Sequence, residues 1–317
     1  MVTLNINIIS IMKKSILLLS AMAVLTAFCF VACSDDEKTD SSSRTPALIS
    51  GKVYTFDPEE PAESWKAKQT IGVFMLKANT STIIDDYSNM LYKATIAESN
   101  DYFTTTPEGV VYYPDNGEKV DIVAYYPRQE VLTDNTYTVN VSNQKSPATM
   151  DLLYANNTKG LNKDNPRADM VIKHVLTKLI FEFTAGDNVV ESDLEGISVK
   201  VTGMPTVAIF DLLAGNFNAG TSVADIDLLA TEEGYGAEGI VLPASSTAGY
   251  QVEYYLPSID KTFTWNIFDD VASLEGSKQY TFGVTVNGDN VVVKVDSSSI
   301  TDWGKGNGSG EDITVKQ

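Results

Sequence analysis

The chain has 317 residues, 43% of them apolar, and is long enough to bury a full core. Its 42 Asp and Glu against 23 Lys and Arg give a net charge of -19, which disfavours a nucleic-acid backbone or an anionic lipid surface as partner. One His and two Cys exclude most zinc sites, leave at most a single Ser/His/Asp triad and rule out a disulfide framework.

At the amino terminus Lys13 and Lys14 precede an apolar stretch through Ile16, Leu19, Val24 and Phe28, ending in Phe30-Val31-Ala32-Cys33. A short basic region, an apolar segment and small residues make a secretory signal, with Met12 where such signals begin. Cys33 directly after Ala32 makes residues 1–32 a lipoprotein signal, cut before a Cys whose thiol is then acylated. The acidic run behind Cys33 matches the address that sends lipoproteins to the outer face of the outer membrane in some Gram-negative anaerobes. Membrane contact is thus expected through the lipid alone. Residues 33–47, polar at first and without periodicity, read as a flexible tether. Cleavage removes Cys29, Lys13 and Lys14, leaving 21 basic against 42 acidic side chains and no thiol for a disulfide. The exported protein must then rely on its core.

From residue 48 the dominant signal is period two with aromatic and β-branched residues, bounded by turn formers. It predicts strands at 71–76, 109–113, 120–126, 137–141, 178–183, 197–201, 250–256, 263–268, 280–286 and 291–295. Asn287-Gly288 joins the last two as a hairpin through residues that tolerate positive φ. Asp115-Asn116-Gly117 is expected to join 110–114 to 120–127 in the same way, each segment ending at a Pro. Only 85–98 and 223–231 carry any helical signal. The polar run 156–166 reads as a long loop or boundary, so the division is placed at 166. That gives an N-terminal domain over 48–166 and a C-terminal one over 167–317, each the size of a β-sandwich. No strand–helix alternation supports a doubly wound nucleotide fold.

Little in the chain points to catalysis. His174 shares a face with Ile172 and Leu176, while Leu179, Phe181 and Phe183 follow a phase shift near Thr177 that suggests a bulge; a hydrogen-bonded structural His fits best. No nucleophile elbow, phosphate-binding loop, dinucleotide turn or helix-borne metal motif occurs. The pairs Asp85-Asp86, Glu232-Glu233 and Asp269-Asp270 read as solvated loop charges rather than a glycosidase couple. The loop starting at Asn162 fails as a calcium loop, because Pro166, Arg167 and Lys173 occupy ligand and turn positions. No enzyme activity, cofactor or metal is expected. Trp65, Trp303 and the pairs Tyr112-Tyr113 and Tyr125-Tyr126 offer sugar-stacking rings, although one Tyr of each pair and Trp265, in line with Phe263 and Ile267, should face a core.

Several segments in order resemble the fimbrillin-like family of pilus subunits and accessory lipoproteins. They are Trp65 with Ile71-Gly72-Val73-Phe74-Met75, Val111-Tyr112-Tyr113-Pro114, Val120 through Pro127, and Asp151-Leu152-Leu153-Tyr154-Ala155. His174 through Phe181, Tyr280-Thr281-Phe282 and Ile300-Thr301-Asp302-Trp303-Gly304 complete the pattern. The resemblance implies an all-β protein of two tandem transthyretin-like β-sandwich domains, lipid-anchored at the cell surface. It also implies assembly with other pilin subunits by strand exchange after a trypsin-like protease frees a first strand. Arg44, Lys66 and Lys68 are the candidate processing residues; a cut at Arg44 would release only the tether, whereas one at Lys66 or Lys68 would release Val53-Tyr54-Thr55-Phe56. The ending 312–317 alternates briefly and reads as a donor strand or as a closing strand of its own domain. The competing reading is a monomeric surface lipoprotein that binds glycans.

Overall fold

A computed structural model describes residues 44–53, 69–95, 102–145, 150–231, 235–245, 249–295 and 312–316. In chain order the strands are β1 (Leu48–Val53), β2 (Thr70–Lys77), β3 (Met90–Thr95), β4 (Tyr102–Thr104), β5 (Val120–Tyr126), β6 (Thr136–Asn140) and β7 (Leu153–Leu161). Next come β8 (Arg167–His174), β9 (Thr177–Ala185), β10 (Ser198–Asp211), β11 (Asn216–Phe217), β12 (Thr221–Asp227), β13 (Leu229–Ala230) and β14 (Gly236–Val241). The last are β15 (Ala244–Ser245), β16 (Gln251–Leu256), β17 (Lys261–Asn266), β18 (Ser273–Leu274), β19 (Lys278–Val286), β20 (Asn290–Val295) and β21 (Asp312–Lys316). The fold is all-β.

β1, β4, β3, β2, β5, β7 and β8 close into a barrel in that order. Its walls explain why the apolar runs of β2 and β5 are nearly unbroken. Ile71, Val73 and Met75 fill the barrel together with Ile122 and Ala124. The opposite faces, Phe74, Leu76, Val123 and Tyr125, join a second core shared with the carboxyl-terminal sheets. Period two survives in the sequence, but both phases are apolar because both faces are dry.

Two larger sheets enclose that second core. One runs β11-β10-β16-β17, with β12 and β6 also paired to β10; the other runs β13-β14-β9-β19-β20-β21. Phe181, Tyr254, Trp265 and Phe282 meet at its centre, with ring centroids 4.9 to 5.8 Å apart. Burial without a hydrogen-bond partner pushes the Tyr254 hydroxyl well above its ordinary pKa. Strand pairing crosses residue 166 in both directions: β6 adds to β10, and β8 completes the barrel.

Several expectations need correction. Residues 85–95 of the first expected helix hold β3, and its start is broken by Asp85 and Asp86 at φ 50 and 60. The second expected helix is replaced by β12 and β13. Residues 109–113 are not a hairpin partner of β5; Tyr112 makes one isolated bridge to Pro46, although the turn at Gly117 (φ 76) does form. The expected loop at 156–166 is largely β7. There β5 and β7 lose register, and side chains replace the missing ladder: Thr158 Oγ1 donates to Ile122 O at 2.6 Å, and Gly160 N donates to Asp121 Oδ1 at 2.9 Å. The phase shift near Thr177 is a gap between two strands, β8 and β9, rather than a bulge. The β19–β20 hairpin forms as expected, closed by Asn287 N donating to Asn290 O at 2.8 Å, but neither Asn287 nor Gly288 is among its positive-φ residues.

Candidate strand-exchange site

β1 closes the barrel between two unlike neighbours. It runs parallel to β8 over six consecutive pairs, Leu48↔Arg167 through Val53↔Ile172, and meets β4 antiparallel at Ser50↔Tyr102. The residues leading into it lie along 111–113: Tyr113 N donates to Thr45 O and Ala47 N donates to Val111 O, both at 2.9 Å.

Alternation decides what the strand contributes. Ala47 and Ile49 are buried in the barrel, whereas Leu48 is 50% exposed. Gly51 is the next inward position, and a Cβ there would lie 3.0 Å from Ile172 Cδ1 and 3.1 Å from the Phe103 ring. Tight packing, not φ, therefore favours glycine there. Outward, Ser50 Oγ donates to Asp169 Oδ1 on β8, and Arg167 Nη2 approaches the same oxygen at 3.5 Å. The Ser50 bond, with help from Arg167, holds the Asp169 carboxyl below the usual carboxylate range.

Arg44 anchors the lead-in. Its Nη2 donates to Tyr87 Oη at 3.4 Å and lies 3.8 Å from Asp85 Oδ2, and the guanidinium carbon sits 5.0 Å from the centre of the Tyr112 ring. The left-handed pair Asp85-Asp86 bends the loop that brings Asp85 and Tyr87 to this position. Cys33, Lys66, Lys68, Trp65, Trp303 and the pair Glu232-Glu233 lie outside the described residues.

At the other end of the chain, β21 pairs with β20 over five residues, Asn290↔Lys316 through Lys294↔Asp312, at the margin of its sheet. The remaining chemistry-bearing residues have structural partners. His174 is buried at the end of β8, with Nδ1 2.6 Å from Asp151 Oδ2. Ser277 Oγ donates to the His174 carbonyl, not to its ring, so these three residues do not form a nucleophile relay. Trp265 is buried with Phe263 and Ile267, and its Nε1 donates to Asp270 Oδ2 at 2.8 Å. Tyr113 and Tyr125 face the interior, while Tyr112 and Tyr126 are half-exposed.

Two buried polar groups escaped sequence reasoning. Asp121 accepts from Asn79 N at 2.8 Å and Gly160 N at 2.9 Å, with Lys159 Nζ at 3.2 Å. Gln144 bridges Val141 O and Ile240 through three bonds of 2.6 to 2.9 Å. Apart from the Gln144 bond to Val141, their partners lie far away in sequence, so little local pattern marks either residue.

Comparison with known proteins places this geometry among relatives. The family model described as fimbrillin-like matches residues 35–303. A candidate fimbrium subunit, Fim1C, of Bacteroides uniformis is 31% identical over 95% of this chain and 98% of its own. The crystal structure of a candidate cell adhesion protein from Bacteroides uniformis superposes with a TM-score of 0.69 at 29% identity, covering 82% of this chain and 99% of that one. A second, from Bacteroides ovatus, has a TM-score of 0.63 at 20% identity over 82% and 98% of the two chains.

Proposed function

We propose that this chain, which belongs to the fimbrillin-like family, is a non-enzymatic structural or adhesive component of a cell-surface pilus. It is exported as a lipoprotein, anchored in the outer membrane through Cys33, and joined to other subunits by strand exchange. In this reading a trypsin-like protease cuts after Lys66 or Lys68 and frees β1. Arg44 is the less productive site, since a cut there leaves β1 in place.

The observation that carries the reading is the position of β1. It is the first described strand, among the described residues it alone joins β8 to β4, and the stretch containing Lys66 and Lys68 lies between it and β2 in sequence. Its departure would leave unpaired edges on both neighbours and an inward slot lined by groups that packed against Ile49. β21, paired to β20, is the strand offered to the next subunit. The chain is read as two tandem transthyretin-like β domains, the first with its sheets closed into the barrel, and with β6 lent to the second and β8 to the first.

Limited trypsin treatment of the purified protein, followed by intact mass and SDS electrophoresis without boiling, tests this. Cleavage after Lys66 or Lys68 with SDS-resistant ladders is the expected result. A trimmed product that stays strictly monomeric would overturn self-assembly by strand exchange.

A further inference from the structure

Where β7, the end of β8 and the turn into β11 converge, the surface opens into a cleft of about 530 Å³. A hollow of about 130 Å³ adjoins it, and Phe217 and Pro243 line both. The chain carries 42 Asp and Glu, yet none of the described ones lines either space. The cleft instead presents Lys173, His174 and the amides of Asn156, Asn157 and Asn216.

Its walls are fixed by the fold. Asp211 Oδ1 accepts from Leu213 N and Ala214 N at 2.9 Å, and Gly215 N donates to Asp211 O at 2.8 Å, so the turn carrying Asn216 and Phe217 is braced. Gly215 has φ 74, and a Cβ there would lie 2.9 Å from the Tyr154 ring; glycine lets the turn lie flat on that ring. Asn157 is spent on the frame, donating to Asp169 O at 3.0 Å and accepting from Val171 N at 2.8 Å. Asn156 and Asn216 remain exposed, with the Asn156 amide also hydrogen-bonded to the Tyr154 hydroxyl. Phe217 is half-buried, edge-on to Phe210 at 4.9 Å, and Tyr250 lies at the hollow against Phe268 at 5.7 Å.

A partly exposed ring flanked by amides, without carboxylates to hold a cation or a basic peptide, suits a saccharide. Sugar C–H faces lie on aromatic rings, and each amide offers a donor and an acceptor to vicinal hydroxyls. Two rings on adjoining spaces suit more than one sugar unit. We propose that this cleft and hollow bind an oligosaccharide that carries no positive charge, with Phe217 and Tyr250 as stacking platforms and Asn156 and Asn216 as hydroxyl partners. The proposal rests on the adhesive reading above for its biological role only, since binding belongs to the single uncut chain.

The test is a glycan array of neutral, sialylated and uronate-containing oligosaccharides of two to eight units, probed with the uncut protein, followed by calorimetry with the strongest binder. Asn216→Ala should weaken binding about tenfold while leaving thermal unfolding unchanged, and Asn156→Ala should weaken it comparably on top of a small loss of stability from its bond to Tyr154. Tyr250→Ala should weaken longer chains more than disaccharides. Val131→Ser, on an exposed site outside both spaces, should bind as wild type. Absence of binding to every glycan, or binding untouched by both Asn variants, would overturn the proposal. The same variants should form ladders normally after trypsin, so failure of strand exchange and failure of glycan binding are separately visible.

Discussion

Ile49→Ala tests whether β1 is the leaving strand. Ile49 is 2% exposed and is the one large side chain that β1 and its lead-in are seen to place in the barrel. Truncating a buried Ile to Ala costs about 2–5 kcal/mol from lost transfer energy and the cavity left behind. The backbone pairing with β8 is untouched by this change. In the uncut chain the loss should appear as reduced stability in a denaturant titration. After cleavage at Lys66 or Lys68, β1 is no longer joined to β2, and the same loss acts on its dissociation. Even the lower bound speeds release by about 30-fold if the Ile49 packing is broken in the transition state. The assay follows the freed amino-terminal segment by mass after size exclusion, against time from trypsin quenching, in parallel with ladder growth. A variant less stable when uncut, yet with release and ladder rates within twofold of wild type, would refute β1 as the strand that leaves.

Arg44→Ala removes a hydrogen bond, a ring contact and a partly exposed ion pair; screening discounts the pair, so the loss is about 1 kcal/mol, and release of cut β1 should quicken a few-fold. Unchanged release would confine Arg44 to a surface role. Asp169 titrates below the usual range when folded because Ser50 donates to its ionised form. Its contribution is therefore present above the unfolded carboxyl pKa and lost as pH falls through the folded value, so amide protection in β1, taken relative to the intrinsic exchange rate at each pH, should fall below about pH 4. Ser50→Ala should flatten that dependence; an identical acid profile would refute the coupling. Asp121→Ala leaves two backbone donors and Lys159 without their acceptor at a site 1% exposed, at a cost of about 3–5 kcal/mol read by denaturant unfolding. Cys33→Ser should abolish acylation, read as loss of labelled palmitate incorporation and of protein from the outer-membrane fraction. Retention of both would refute lipidation at that residue.

Strand content is legible where alternation and burial coincide, as in β9 and β19, and illegible where a polar residue does a strand's work. β7 resembles a loop because Asn157 and Thr158 bond to neighbouring strands in place of a regular backbone ladder. Conversely, Val111 and Tyr113 alternate as a strand would, yet they are buried beside 45–47 without forming one; alternation reports burial, not pairing. The pairing of Ser50 with Asp169 spans 119 positions and exists only because the barrel closes, so no local pattern announces it. Apolar alternation points to Val53-Tyr54-Thr55-Phe56 as the releasable strand; Val53 ends β1 and the other three lie outside the described residues, while the inward positions of β1 that are seen, Ala47, Ile49 and Gly51, are a weakly apolar set. That weakness bears on function. A strand seen to place one large side chain, Ile49, in the barrel gives up that packing and little else from its side chains when it leaves, and an incoming strand restores backbone bonds whatever its sequence. The small residues that hid β1 from an apolar-periodicity reading are the ones that make it exchangeable in the proposed assembly.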